Sequence, residues 1–252
     1  MDGRDRIDGD CDGVLGGSGI RSEGSSGGGA AGSGAAGGGA AGSAYKLASV
    51  EVNWSDLCAA LPAGRDAESI LKRQALFAKW DVNSNGCLSF NEVDSSMREL
   101  MGKVMGGFLR TRQHGWAHSW KPVIRSAVRT AKGMSAGGSP YVDPSEFRLL
   151  LLCMLRYFEV YVAFCRLDVS CDRRIDFDEF KCGLPALASW GVHVEEDAAA
   201  EEFEVVKGAS VGHILFDDFL VYANAKGLCL DDFGKASRTM HRLRADLHEM
   251  LY

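Results

Sequence analysis

The chain has 252 residues, 46% of them apolar, which is enough to bury a core over one or two domains. Its formal net charge of −6 argues against a nucleic-acid binder, which would carry a basic face. The eight cysteines form no CxxC pair, and the opening MDGRDRIDGD has no apolar run after its charges; both point to a reduced, intracellular, cytoplasmic protein.

Residues 1–44 hold 16 of the 31 glycines, interleaved with Ala and Ser, and are predicted to be a disordered tail because they have too few large apolar side chains to offset their ordering entropy. Within them, DGDCDG (Asp8 to Gly13) resembles the first half of an EF-hand calcium loop. Extended to twelve positions, it places Gly19 where a bidentate Glu is required, and no helical pattern flanks it, so no ion site is expected there.

The full pattern appears in DVNSNGCLSFNE, Asp81 to Glu92. Asp81, Asn83 and Asn85 stand at positions 1, 3 and 5, and Gly86 at position 6 takes the sharp turn. Cys87 offers its backbone carbonyl at position 7, Ser89 stands at position 9, and Glu92 supplies two oxygens at position 12. Phe77 and Trp80 before the loop, and Val93, Met97, Leu100 and Met101 after it, give each flank a helical apolar stripe. An Asx-rich surface turn would mimic only the first half of this frame.

Further along, His114 and His118 have a zinc-compatible spacing but no third ligand, so ordinary packing is expected. SAGGSPYVDPSE (Ser135 to Glu146) keeps Val142 at position 8 and Glu146 at position 12, yet Gly137 and Pro140 make it a poor cage. LLLLCMLRYFEVYVAF, Leu149 to Phe164, is interrupted by Arg156 and Glu159, which predicts one or two buried helices rather than a membrane span.

DVSCDRRIDFDE repeats the frame with Asp168, Ser170, Asp172, Asp176 and Glu179 at positions 1, 3, 5, 9 and 12, and with the carbonyl of Arg174 at position 7. Arg173 holds position 6, where a left-handed residue with a Cβ costs about 1–2 kcal/mol. Cys171 at position 4 is read as an unreactive thiol. KGASVGHILFDD, Lys207 to Asp218, keeps Gly212 and Ile214 but has lost the side-chain ligands at positions 1, 3 and 5. At the C-terminus, Met240, Leu243, Leu247 and Met250/Leu251 recur at helical spacing behind Arg238, Arg242 and Arg244.

The long gap between the first two loops, SEFRLLLLCMLRYFEVYVAF before the third and LPALASWGVHVEE after it resemble the flagellar calcium-binding proteins (calflagins) of trypanosomes. That resemblance implies a four-EF-hand sensor that meets flagellar membrane through an acylated N-terminus. Asp2 stands here where the acylated glycine would be, and the fourth loop lacks the ligands that the family pattern implies.

The sequence therefore predicts an all-α protein of four EF-hand helix–loop–helix units in two pairs, 45–150 and 151–228, with two loops degenerate, a disordered N-terminal tail and a C-terminal amphipathic helix, 229–252. The expected cofactor is Ca2+, in the first and third loops. The expected role is a calcium sensor that exposes apolar surface to an unidentified protein target, with an amphipathic helix or a membrane as candidate contacts and no nucleic acid. A constitutive scaffold and a calcium buffer are the alternatives. No catalytic motif is found, so no enzyme is expected.

Overall fold

A computed structural model describes residues 52–104, 121–133, 140–230 and 232–251. The glycine-rich tail, DGDCDG, His114 and His118 lie outside the described residues, as do the first five positions of the second loop. The described residues belong to one unit, and it is helical, as the periodicity predicts.

Helix α1 (Trp54–Ala60) is followed by α2 (Ala67–Trp80), which begins where Asp66 accepts hydrogen bonds from the Ser69 N–H at 2.8 Å and from its hydroxyl at 2.7 Å. It stops at Asp81, and α3 (Phe90–Val104) leaves the first loop. Helix α4 (Lys121–Gly133) enters the second loop. α5 (Phe147–Leu167) leaves the second loop and is also the helix that enters the third. Short helices α6 (Phe177–Cys182) and α7 (Leu184–Ser189) leave the third loop. They meet at Gly183, where a side chain would put its Cβ 2.3 Å from Leu167 Cδ2. α8 (Ala199–Lys207) and α9 (Phe216–Ala225) flank the fourth loop, and α10 (Ser237–Leu251) closes the chain.

The 150/151 division between pairs thus falls inside α5, a single helix, and the two pairs share a spine rather than a linker. Every residue of α5 is buried except Arg148 and Arg166, as expected for a helix that is apolar on all sides. Its charges survive inside because each is paired. Glu159, fully buried, accepts from Arg156 at 2.8 Å, from the Leu230 N–H at 2.9 Å, and twice from Arg244 of α10, at 2.6 and 3.0 Å. Arg156 also donates to Asn224 Oδ1 at 2.9 Å and to the Leu228 carbonyl at 2.8 Å.

The C-terminal helix begins at Ser237, not 229; Leu228, Leu230 and Phe233 of the preceding segment are buried in the core instead. Met240, Leu243 and Leu247 of α10 face inward, and Arg244 lies over the Phe233 ring with its guanidinium carbon 4.8 Å from the centroid. Arg148 of α5 reaches Asp246 at 2.5 Å and the Met250 sulfur at 3.1 Å.

Candidate metal centre

The first loop adopts the turn its sequence predicts. Gly86 has φ 79°, and its N–H donates to Asp81 Oδ2 at 2.8 Å, while the Asn85 N–H donates to Asp81 Oδ1 at 3.0 Å. The Asn85 N–H also reaches Asn83 Oδ1 at 3.0 Å, and the Cys87 N–H reaches Asn85 Oδ1 at 3.0 Å. Backbone donors on the outside therefore orient the three side chains of positions 1, 3 and 5. Asp81 itself is buried, at the C-terminal end of α2 beside Trp80.

At position 12, Glu92 Oε2 accepts from the Ser89 N–H at 2.9 Å and from the Ser89 hydroxyl at 2.7 Å, and these bonds hold its carboxyl below the ordinary glutamate pKa. Its other oxygen, Oε1, is buried and makes no hydrogen bond of good geometry, and the Asn83 and Val82 N–H groups approach the carboxylate and add to the lowering. A carboxylate held in place with one oxygen only weakly met is ready for a cation, and hard carboxylate, amide and hydroxyl oxygens in a twelve-residue frame suit calcium. The Ser89 hydroxyl, at position 9, is spent on Glu92.

The third loop repeats this geometry. The Asp172 and Arg173 N–H groups donate to the two Asp168 oxygens at 3.2 and 2.8 Å, and the Arg174 N–H to Asp172 Oδ1 at 2.9 Å. Arg173 takes the left-handed turn at φ 70° in place of a glycine. Asp176 caps α6 by accepting from the Glu179 N–H at 2.8 Å, and both Glu179 oxygens accept from backbone, Ser170 N–H at 2.8 Å and Asp176 N–H at 3.1 Å. The Ser170 hydroxyl donates to Asp168 Oδ1 at 3.3 Å. Burial, then the neighbouring Glu179 and Asp172 carboxylates, push the Asp168 pKa up to about 6. Among the described residues no three His, Cys, Asp or Glu side chains gather as a metal-holding group. Loop 1 has few such residues, and in both loops positions 9 and 12 cap each other, Ser89 with Glu92 and Asp176 with Glu179.

The other two loops act as braces. Leu88 pairs with Val142 through two 2.8 Å backbone bonds, and Ile175 pairs with Ile214 at 3.0 and 2.8 Å, so position 8 of each better loop is bonded to position 8 of a degenerate one. In loop 4, Lys207 at position 1 pairs with Glu204, and the Ser210 hydroxyl donates to Asp218. In loop 2, the position-12 carboxylate of Glu146 holds a cation already: Lys132 Nζ lies 2.8 and 2.9 Å from its two oxygens. Reading the loops twelve residues at a time missed Lys132, which precedes the frame. The signal was a position-12 glutamate with no acid at positions 1, 3 and 5.

A family model described as the FCaBP EF-hand domain matches residues 57–155, which span the first two loops and the N-terminal half of α5. The flagellar calcium-binding protein of Trypanosoma cruzi is 30% identical over 183 residues, covering 71% of this chain and 81% of that protein. The chain belongs to the flagellar calcium-binding protein family. Another member, flagellar calcium-binding protein TB-24 of Trypanosoma brucei brucei, is 30% identical over 195 residues, 75% of this chain and 84% of its own length. TB-17 of the same organism is 28% identical over 186 residues. The resemblance drawn from the helix entering the third loop therefore holds for most of the chain, and the EF-hand fold with it.

Proposed function

We propose that this protein is a calcium sensor whose main ion site is loop 1, with loop 3 a weaker second site. The observation that supports loop 1 most directly is the position-12 carboxylate of Glu92, whose buried Oε1 makes no hydrogen bond of good geometry. When bound, Ca2+ supplies the positive charge that this oxygen lacks. The residues that would hold it are Asp81, Asn83, Asn85, the Cys87 carbonyl, Ser89 and Glu92. Loop 3 would use Asp168, Ser170, Asp172, the Arg174 carbonyl, Asp176 and Glu179, with the positive charges of Arg173 and Arg174 beside the ion; in both loops the position-12 carboxylate exchanges capping bonds for the ion.

Glu92 sits in the first turn of α3, so any movement of its carboxylate is carried into that helix. Val93, Met97 and Met101 of α3 are buried and Leu100 is half-buried. Turning α3 outward would offer this stripe to a protein target. The flagellar names of the relatives suggest where such a target lies. No helix among the described residues is long and apolar enough to cross a membrane, so membrane contact would pass through another element. A constitutive scaffold or buffer is favoured instead by the buried Glu159–Arg244 pair, which binds α10 to the spine.

Calcium calorimetry on the full chain and on Glu92→Gln, run beside a dye that reports apolar surface, tests the proposal. The expected result is a strong site lost in Glu92→Gln and dye binding that rises with calcium. An isotherm unchanged by Glu92→Gln refutes the loop 1 assignment. Binding without added apolar exposure refutes sensing in favour of a buffer or scaffold.

A further inference from the structure

We propose that Lys132 is the built-in cation of the second EF-hand, and that by holding Glu146 it presets loop 1 for calcium; the inference rests on the loop 1 assignment. Lys132 lies in the last turn of α4, the helix that enters loop 2. Its ammonium bonds both oxygens of Glu146 at 2.8 and 2.9 Å, and the two side chains are only 15% and 8% exposed. The Asp143 N–H adds a bond of 3.0 Å to Glu146 Oε2. An ammonium thus ties the incoming helix of loop 2 to the residue that opens its outgoing helix. That is the mechanical link an ion makes in a working hand, where position 12 joins the exit helix to the loop. In this hand the cation is part of the chain, so the link does not depend on calcium concentration.

The second hand is joined to loop 1 at two places on either side of Glu146. Val142, four residues before it, bonds Leu88 through both backbone groups at 2.8 Å. Phe147, the next residue, meets Phe77 and Trp80 edge-on, with ring centroids 5.1 and 5.3 Å apart. Trp80 directly precedes Asp81, the first loop 1 ligand. The pair therefore fixes a wall against which loop 1 is already arranged, and a prearranged site spends less of its binding free energy on ordering. Lys132 acts on loop 1 through Glu146 and is a positioning residue.

The test uses the full chain carrying Glu179→Gln, so that loop 1 dominates the signal. Calcium affinity is measured by calorimetry, and Trp80 surroundings by the tryptophan emission, in chelator, that each variant loses on Trp80→Phe, since the chain has five tryptophans. Lys132→Met keeps the aliphatic stem but removes the charge, and should weaken loop 1 about five- to tenfold, within the usual range of coupling between sites. It should also shift the emission before any calcium is added. Lys132→Arg keeps a cation of different shape and should stay within about twofold of the parent. If Lys132→Met does not fold, Glu146→Gln weakens the same pair at constant shape and should show the same losses. Unchanged affinity in the charge-removing variants overturns the inference, as does Lys132→Arg behaving like Lys132→Met, because shape rather than charge would then matter. A parent that binds no calcium overturns the loop 1 assignment and this inference with it. A parent that binds equally well without the pair overturns this inference alone.

Discussion

Replacing Arg173 with glycine removes backbone strain and a positive charge together, and stability and calcium affinity read the two separately. Arg173 sits at φ 70°, while glycines hold the same position of loops 1 and 4 at 79° and 75°. A residue with a Cβ costs about 1–2 kcal/mol in this conformation. The strained turn is held by the loop's own bond from the Arg173 N–H to Asp168 Oδ2 at 2.8 Å, which glycine retains. The strain therefore belongs to the fold rather than to ion binding, and its relief appears as stability. Glycine returns about 0.5–1 kcal/mol through the entropy of the unfolded chain, leaving a net gain of about 1 kcal/mol. For a domain of this size that raises the melting midpoint by about 2–4 °C, read by circular dichroism in chelator. Calcium affinity at loop 3 should rise only through loss of one exposed positive charge, by about a few-fold at most. A melting midpoint in chelator that falls, or stays put while affinity rises tenfold, would refute the assignment of strain to the fold.

Three other outcomes are expected. Arg244→Met should cost about 3–5 kcal/mol in urea unfolding, because it strips two bonds from the fully buried Glu159, and an exposed-pair cost below about 1 kcal/mol would show that Arg156 alone satisfies that carboxylate. Removing residues 235–252 should raise dye binding and tighten the hold on an added amphipathic peptide, since Met240, Leu243 and Leu247 would vacate apolar surface that a target helix could fill; no change in either would show that α10 covers no such groove. Deleting residues 1–44 should leave calcium stoichiometry unchanged, and loss of one ion on truncation would restore DGDCDG as a site.

The loops and their pairing were legible because calcium chemistry imposes fixed spacings: positions 6, 8 and 12 can be counted in a string, and Leu88–Val142 and Ile175–Ile214 form where the count places them. The burial of α5 was legible too, from an apolar run too long for one face. Its unity was not, because Arg156 and Glu159 look like interruptions until their partners are known, and those partners lie at Asn224, Leu228, Leu230 and Arg244, far along the chain. A second role at position 9 was not legible for the same reason: Ser89 and Asp176 each also begin a helix, where their oxygens accept the capping bond. Lys132 was invisible to any fixed frame because an ammonium reaches Glu146 from outside it.

A spine shared by two hands has a consequence for how the molecule comes apart. Because α5 is buried along nearly its whole length, neither half keeps a complete core when the other opens. Melting of residues 52–251 should therefore be a single all-or-none transition, with calorimetric and van't Hoff enthalpies in agreement. Fragments cut at Leu150 should be unfolded separately and regain helicity only when mixed.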